Sequence, residues 1–282
     1  MNAALVAGCA LGGALIGAAL DVAAARVPPS QDPVDEAVAA TPMPRGDSAL
    51  APAPAASEAD RPVAQPPSEA PGPAGPGSAA GGDAGPVTRP VPGPPGPVEL
   101  VATAVVTAVL LAAAAVRFGP VPELAPYCVL FAGLVGISVA DLRVGLVPRV
   151  FLYPTLALMA MGLVAASAVA GNWAALAHAA IGGAGAFVVF FVLWWFVPRG
   201  IGFGDVRLAG LMGAGLGWLG LADVYVGFLS GFVIGALMGT VKMLAQGTGR
   251  KTRFPFAPAL ACGTVIGVLW GSWLASYWVL HT

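Results

Sequence analysis

The sequence predicts an all-α membrane protein, a polytopic bundle of about eight transmembrane helices with a disordered Pro/Ala-rich cytoplasmic linker. Three observations carry this. The 282 residues are 57% hydrophobic and only 10% charged, with a mean hydropathy of +0.83. Uncharged apolar runs of about 20 residues recur, the length an α-helix needs to cross an oily core. Between the first two runs, residues 28–97 hold 19 of the 27 prolines.

The first run, Ala3–Ala24, has the length of a span and no basic stretch before it, so it is expected to be a retained helix rather than a secretory signal. The Pro, Ala, Gly and Ser of residues 28–97 bury too little apolar surface to offset chain entropy, which predicts disorder. The second run is Val98–Val116. The third, Ala125–Ala140, is short and ends at Asp141. The fourth, Val150–Ala170, follows Val147-Pro148. The fifth, Trp173–Val197, closes on the Trp194-Trp195 pair. The sixth, Asp205–Leu219, is again short and begins with an acid. The seventh and eighth are Ala222–Leu244 and Ala257–Leu280, the latter entered through Phe254-Pro255-Phe256-Ala257-Pro258. The expected domains are 1–27, a first transmembrane helix; 28–97, the linker; and 98–282, the remaining membrane domain.

Basic residues orient the bundle. With the N-terminus outside, the inner loops hold Arg26, Arg143, Arg149, Arg199, Arg207, Lys242, Arg250, Lys251 and Arg253, and the outer loops hold Arg117. The positive-inside rule then places Asp141, Asp205 and the linker on the cytoplasmic side of a plasma (inner) membrane. The net charge is −1, so bulk charge identifies no partner, and no nucleic acid is expected. Cys9, Cys128 and Cys262 lie in separate apolar runs without CxxC spacing, so inert buried thiols are expected, with no metal and no cofactor.

Ionisable groups within membrane segments are costly and are functional candidates for that reason. Asp141 ends a run heading inward and Asp205 begins one heading outward, so the two lie at similar depth, 64 residues apart (205 − 141). Two carboxylates sharing one proton can activate water and protonate a carbonyl or leaving amine. Asp205 at a helix start and Asp141 at a helix end predict unequal dipole environments. Gly202 and Gly204 bare the backbone before Asp205, allowing an extended chain to approach. Pro148 holds Val147 extended, and Pro255 and Pro258 are placed to flank the pair. The same two acids would also serve a proton-coupled transporter, which calls instead for a midplane site and internal repeats. Asp223 is expected in the outer loop after the sixth run, Glu99 at a helix start, and His178 near the outer end of the fifth run.

The segments Gly202-Phe203-Gly204-Asp205-Val206-Arg207-Leu208 and Gly213-Ala214-Gly215-Leu216-Gly217-Trp218 resemble the GxGDxKL region of type IV prepilin peptidases. Asp141-Leu142-Arg143-Val144-Gly145-Leu146-Val147-Pro148 resembles the segment carrying their first catalytic aspartate. Arg253-Phe254-Pro255-Phe256-Ala257-Pro258-Ala259-Leu260 is similar to their IPFGPxL. Gly12–Gly17 through Arg26-Val27-Pro28 resembles their first helix and its exit, and Pro97-Val98-Glu99-Leu100 the start of their second. The signal-peptide-peptidase group of intramembrane proteases also uses GxGD, and Pro258-Ala259-Leu260 matches its PAL, but the ordered set of segments is not theirs.

The resemblance implies an aspartic-type endopeptidase of the plasma membrane, acting in type IV pilus assembly or protein secretion. It would remove the basic leader of a prepilin or pseudopilin at the cytoplasmic face, in contact with membrane lipid. It implies Asp141 and Asp205 as catalytic, and Gly202, Gly204, Pro148, Pro255 and Pro258 as substrate-binding. Many members carry two CxxC pairs that bind zinc in the first cytoplasmic loop, a region linked to N-methylation with S-adenosylmethionine. Residues 28–97 contain no cysteine, so no zinc is expected there, and S-adenosylmethionine is a partner only if methylation is retained. Asp21 stands where an Asn is common, Ala18 where a Ser is common, Arg149 where an Asn follows the proline, and Arg207 in place of Lys.

Overall fold

A computed structural model describes residues 2–26, 94–145, 147–197, 202–246 and 255–281. The region 28–93, with most of the expected linker, lies outside them, as do Phe254 and the basic residues Arg199, Arg250, Lys251 and Arg253. The described residues fall in one contact unit, 1–40 with 91–282. They form eight helices and no strand: α1 Ala3–Ala25, α2 Pro97–Phe118, α3 Leu124–Val144, α4 Arg149–Ala170, α5 Trp173–Phe196, α6 Phe203–Leu219, α7 Leu221–Gln246 and α8 Ala257–His281. The protein is a polytopic helical bundle. Seven of the helices are long and apolar enough to cross a membrane. The exception, α6, has 17 residues, a length of about 26 Å at 1.5 Å per residue.

Local chemistry sets the helix ends. Pro97 occupies the first position of α2, where its missing N–H costs nothing, and Glu99 turns back to accept the Gly96 N–H at 3.4 Å. Helix α3 stops at Gly145, which adopts φ 71° and donates its N–H to the Asp141 carbonyl at 2.8 Å. Helix α4 stops in the same way at Gly171, and Asn172 then caps α5 by accepting the Ala175 N–H at 3.2 Å.

The most intimate neighbours are α5 with α6, α7 with α8, and α1 with α2. Small residues allow this, because packing without a water-driven term depends on close backbone approach. A Cβ on Gly263 of α8 would run into the Gly227 carbonyl of α7. Helix α3 is the centre: 61% of its most apolar window is buried, against 11% for α1. Tyr127, Leu130, Phe131 and Ile137 of α3 are fully enclosed, and the Tyr127 hydroxyl donates to the Gly215 carbonyl of α6 at 2.7 Å.

Three expectations change. Helix α3 runs to Val144, not Ala140, so Asp141 and Arg143 lie within its last turn. Asp223 lies in the first turn of α7 and is 5% exposed rather than in an outer loop, because Gly220 alone separates α6 from α7. Where buried thiols are expected, Cys262 of α8 is exposed and Cys9 of α1 and Cys128 of α3 are half-buried, and these two, distant in sequence, adjoin one another.

Candidate active site

Asp141 is carried by the last turn of α3 and is 5% exposed. Its Oδ2 accepts the Ala257 N–H at 3.1 Å. Ala257 is the first residue of α8, so a free amide and the positive end of a helix dipole face the carboxylate. The C-terminal dipole of its own helix is thereby opposed by the N-terminal dipole of another. The unequal environments expected from α3 and α6 alone are reduced.

Asp205 is the third residue of α6 and half-buried. Its Oδ2 accepts the Gly202 N–H at 3.3 Å, and its own N–H donates to the Gly202 carbonyl at 3.0 Å. Both aspartates therefore take backbone N–H groups at helix N-termini, Asp205 from its own helix and Asp141 from α8.

The start of α6 and the connection that follows α3 meet at Gly204. A Cβ built on Gly204 would lie 2.8 Å from the Val147 Cβ, closer than carbon atoms approach. Gly204 thus lets α6 begin against Val147 in the connection between α3 and α4. Buried Pro148 then caps α4. Phe203, between the two glycines, packs edge-on to Trp194 of α5 at 5.1 Å, and the Arg207 guanidinium stacks over its ring at 4.4 Å. On the α8 side, Phe256 packs on Phe232 of α7 at 5.7 Å, ahead of Ala257. Gly202, Gly204, Pro148, Pro255 and Pro258 accordingly sit on the segments that adjoin at this end of the bundle.

Sequence reasoning treated Arg143 as a topology signal alone. Its Nη2 donates to Asp21 Oδ1 of α1 at 2.6 Å and to Glu99 Oε2 of α2 at 2.8 Å. Glu99 does start a helix, as expected, and has this second contact as well. The available signal was Asp21 itself, an acid inside an otherwise uncharged run. Asp223 lies at the other end of α6, where it packs on Gly271 of α8. His178 is exposed on α5. Among the described residues, no three His, Cys, Asp or Glu side chains gather as a metal-binding group.

Residues 128–240 match the model of the type IV leader peptidase family. A prepilin leader peptidase/N-methyltransferase of Bacillus subtilis is 33% identical over 181 residues, 63% of this chain and 68% of that protein. The chain belongs to the type IV leader peptidase family. A relative of the same name from Xanthomonas campestris is 30% identical over 185 residues, covering 64% of this chain and 62% of its own. One from Pseudomonas aeruginosa is 29% identical over 170 residues, covering 58% and 56%. No solved structure matches. The span matched by the family model contains both Asp141 and Asp205, but neither Asp21 nor Glu99 of the Arg143 cluster.

Proposed function

We propose that the protein is an aspartic-type endopeptidase of the plasma membrane that removes the basic leader from prepilin or pseudopilin-like proteins at the cytoplasmic face. The observation that carries this is the contact of Gly204, next to Asp205, with Val147 in the connection that follows the Asp141 turn, which puts both acids at helix ends rather than mid-helix. The alternative use of these acids, as a proton relay for transport, calls for a midplane site. Nine inner basic residues against one outer support the cytoplasmic orientation.

In this reading one carboxylate takes a proton from a water held between the pair, and the oxygen attacks the scissile carbonyl carbon. The other carboxyl group protonates the carbonyl oxygen. The C–N bond then breaks: the first carboxyl group gives its proton to the leaving amine and the second takes one back from a hydroxyl of the tetrahedral carbon, so water is consumed and both carboxyl groups are restored. In this reading Gly202 faces an extended substrate, the space beside Gly204 is taken by Val147, and Pro148, Pro255 and Pro258 shape the walls. Residues 98–282 are the catalytic domain, with 1–27 as its first helix.

The relatives' names include N-methyltransferase activity. Residues 28–97 contain no cysteine, and the proposal is confined to leader removal. Co-expression with a prepilin tests it. Asp141→Asn and Asp205→Asn should each abolish cleavage while the protein still inserts; full processing by either variant refutes the assignment. The mass of the new N-terminus reports methylation from S-adenosylmethionine in the same experiment.

A further inference from the structure

One charged cluster has no part in the chemistry above. Arg143 stands two residues after Asp141 in the last turn of α3, and a single nitrogen, Nη2, serves Asp21 of α1 and Glu99 of α2. A basic residue at a helix C-terminus is favourable with no partner at all. This one is drawn inward instead: its side chain is 13% exposed and the Asp21 side chain 0%. The cluster carries two negative charges against one positive, and Asp21 Oδ2 is left buried without a hydrogen-bond partner. Such an arrangement is poor as a device for stability, since desolvation offsets most of the attraction. Its effect is geometric.

Residues two apart on a helix point about 200° away from each other, so Arg143 and Asp141 face opposite sides of one turn. On the Asp141 side, Ala257 of α8 donates to the carboxylate. Just beyond Gly145, Val147 meets Gly204 of α6. On the Arg143 side, α1 and α2 hold the guanidinium. One helical turn is therefore gripped from both faces, and the grip reaches the carboxylate through the backbone.

We propose that Arg143, held by Asp21 and Glu99, is a positioning residue that fixes the last turn of α3 so that Asp141 stays seated against α8. This rests on the reading of Asp141 as catalytic.

The test is the double variant Asp21→Leu/Arg143→Leu in the full chain. Replacing a buried pair by apolar residues avoids the stranded charge that either single variant would leave, which separates positioning from folding. Three measurements are compared with the unaltered protein: kcat and KM on a prepilin, copper-phenanthroline cross-linking of the native Cys9–Cys128 pair, and labelling of Asp141 by a membrane-permeant carbodiimide, read by mass spectrometry. Cross-linking at the far end of α1 reports that the helix is still docked. The expected result is a kcat lower by about ten- to a hundredfold with KM within about twofold, the scale of an ångström's misplacement. Cross-linking should be unchanged and Asp141 labelling increased. Arg143→Lys, which keeps the charge but not the planar fork, should recover part of kcat.

Unchanged kcat and unchanged labelling would overturn the proposal. So would loss of cross-linking together with kcat, since the cluster would then only dock α1. If the unaltered protein cleaves no prepilin, the catalytic reading fails and the labelling decides the positioning alone.

Discussion

Gly204→Ala is the sharpest test of how the start of α6 and the connection that follows α3 are joined. The added Cβ would lie 2.8 Å from the Val147 Cβ, 3.4 Å from its Cγ2 and 3.6 Å from its N. Carbon atoms settle at about 3.5–4.0 Å, so the α6 start and the α3–α4 connection must part by about 0.7–1.2 Å. Side-chain rotation brings no relief, because the nearest atom is a Cβ fixed to the backbone. Val147 is also held from behind by buried Pro148. Overpacking of this kind costs about 1–3 kcal/mol, and an ångström's shift between reacting groups lowers the rate by up to about a hundredfold. Purified protein in proteoliposomes should show kcat for prepilin cleavage reduced by about ten- to a hundredfold, with a modest fall in thermal midpoint. Val147→Gly removes the opposing Cβ and should restore much of the loss in the double variant. Gly185→Ala is the control: a Cβ there meets nothing within 4 Å, and alanine in a helix interior is worth up to about 1 kcal/mol over glycine. Wild-type kcat in Gly204→Ala would refute the claim that this contact sets the site.

Other outcomes follow from the same geometry. Ala257→Pro deletes the N–H that Asp141 accepts, at a first-turn position where proline suits a helix; kcat should fall by about tenfold or more, the scale of a hydrogen bond to a charged group, while circular dichroism shows the helices retained. Asp223→Ala removes a buried carboxylate at the opposite end of α6 from Asp205. It should lower the thermal midpoint, in line with about 0.5–3 kcal/mol for loss of a packed side chain, and leave kcat unchanged. Deleting residues 33–90 should preserve leader removal in the co-expression assay, whereas loss of processing would assign that segment a part in catalysis.

The helices were legible because each is a continuous apolar run, a signal that survives ignorance of neighbours. The same signal erred where polar residues continue a helix. Asp141 and Arg143 interrupt the apolar run of α3, yet backbone hydrogen bonding persists to Val144 and the stop comes from Gly145. Asp223 read as a loop acid for the same reason. In the site, Asp141 and Asp205 were conspicuous because acids are rare in such runs. The Ala257 amide was invisible, since every residue but proline has one; Gly204 stood out beside Asp205, but its fit against Val147 did not. Asp21 and Arg143 are 122 residues apart, and only the packing of α1 on α3 brings them together. Cys9 and Cys128 were separated in the sequence reading for want of the same fact.

The packing of α1 has a consequence for how the chain tolerates change. Gly13 and Gly17 bring α1 into backbone contact with α2, and Asp21 and Cys9 anchor it to α3 near its two ends. All of these contacts lie before Arg26 or after Pro97, so what joins the two helices only has to bridge their ends. The described contacts that dock α1 would therefore be untouched by a change confined to the connecting sequence, whether a drift, a lengthening or an exchange for another module. A tag or reporter domain inserted there would ride on the protein while the Asp141–Ala257 bond and the Gly204–Val147 contact stay as they are.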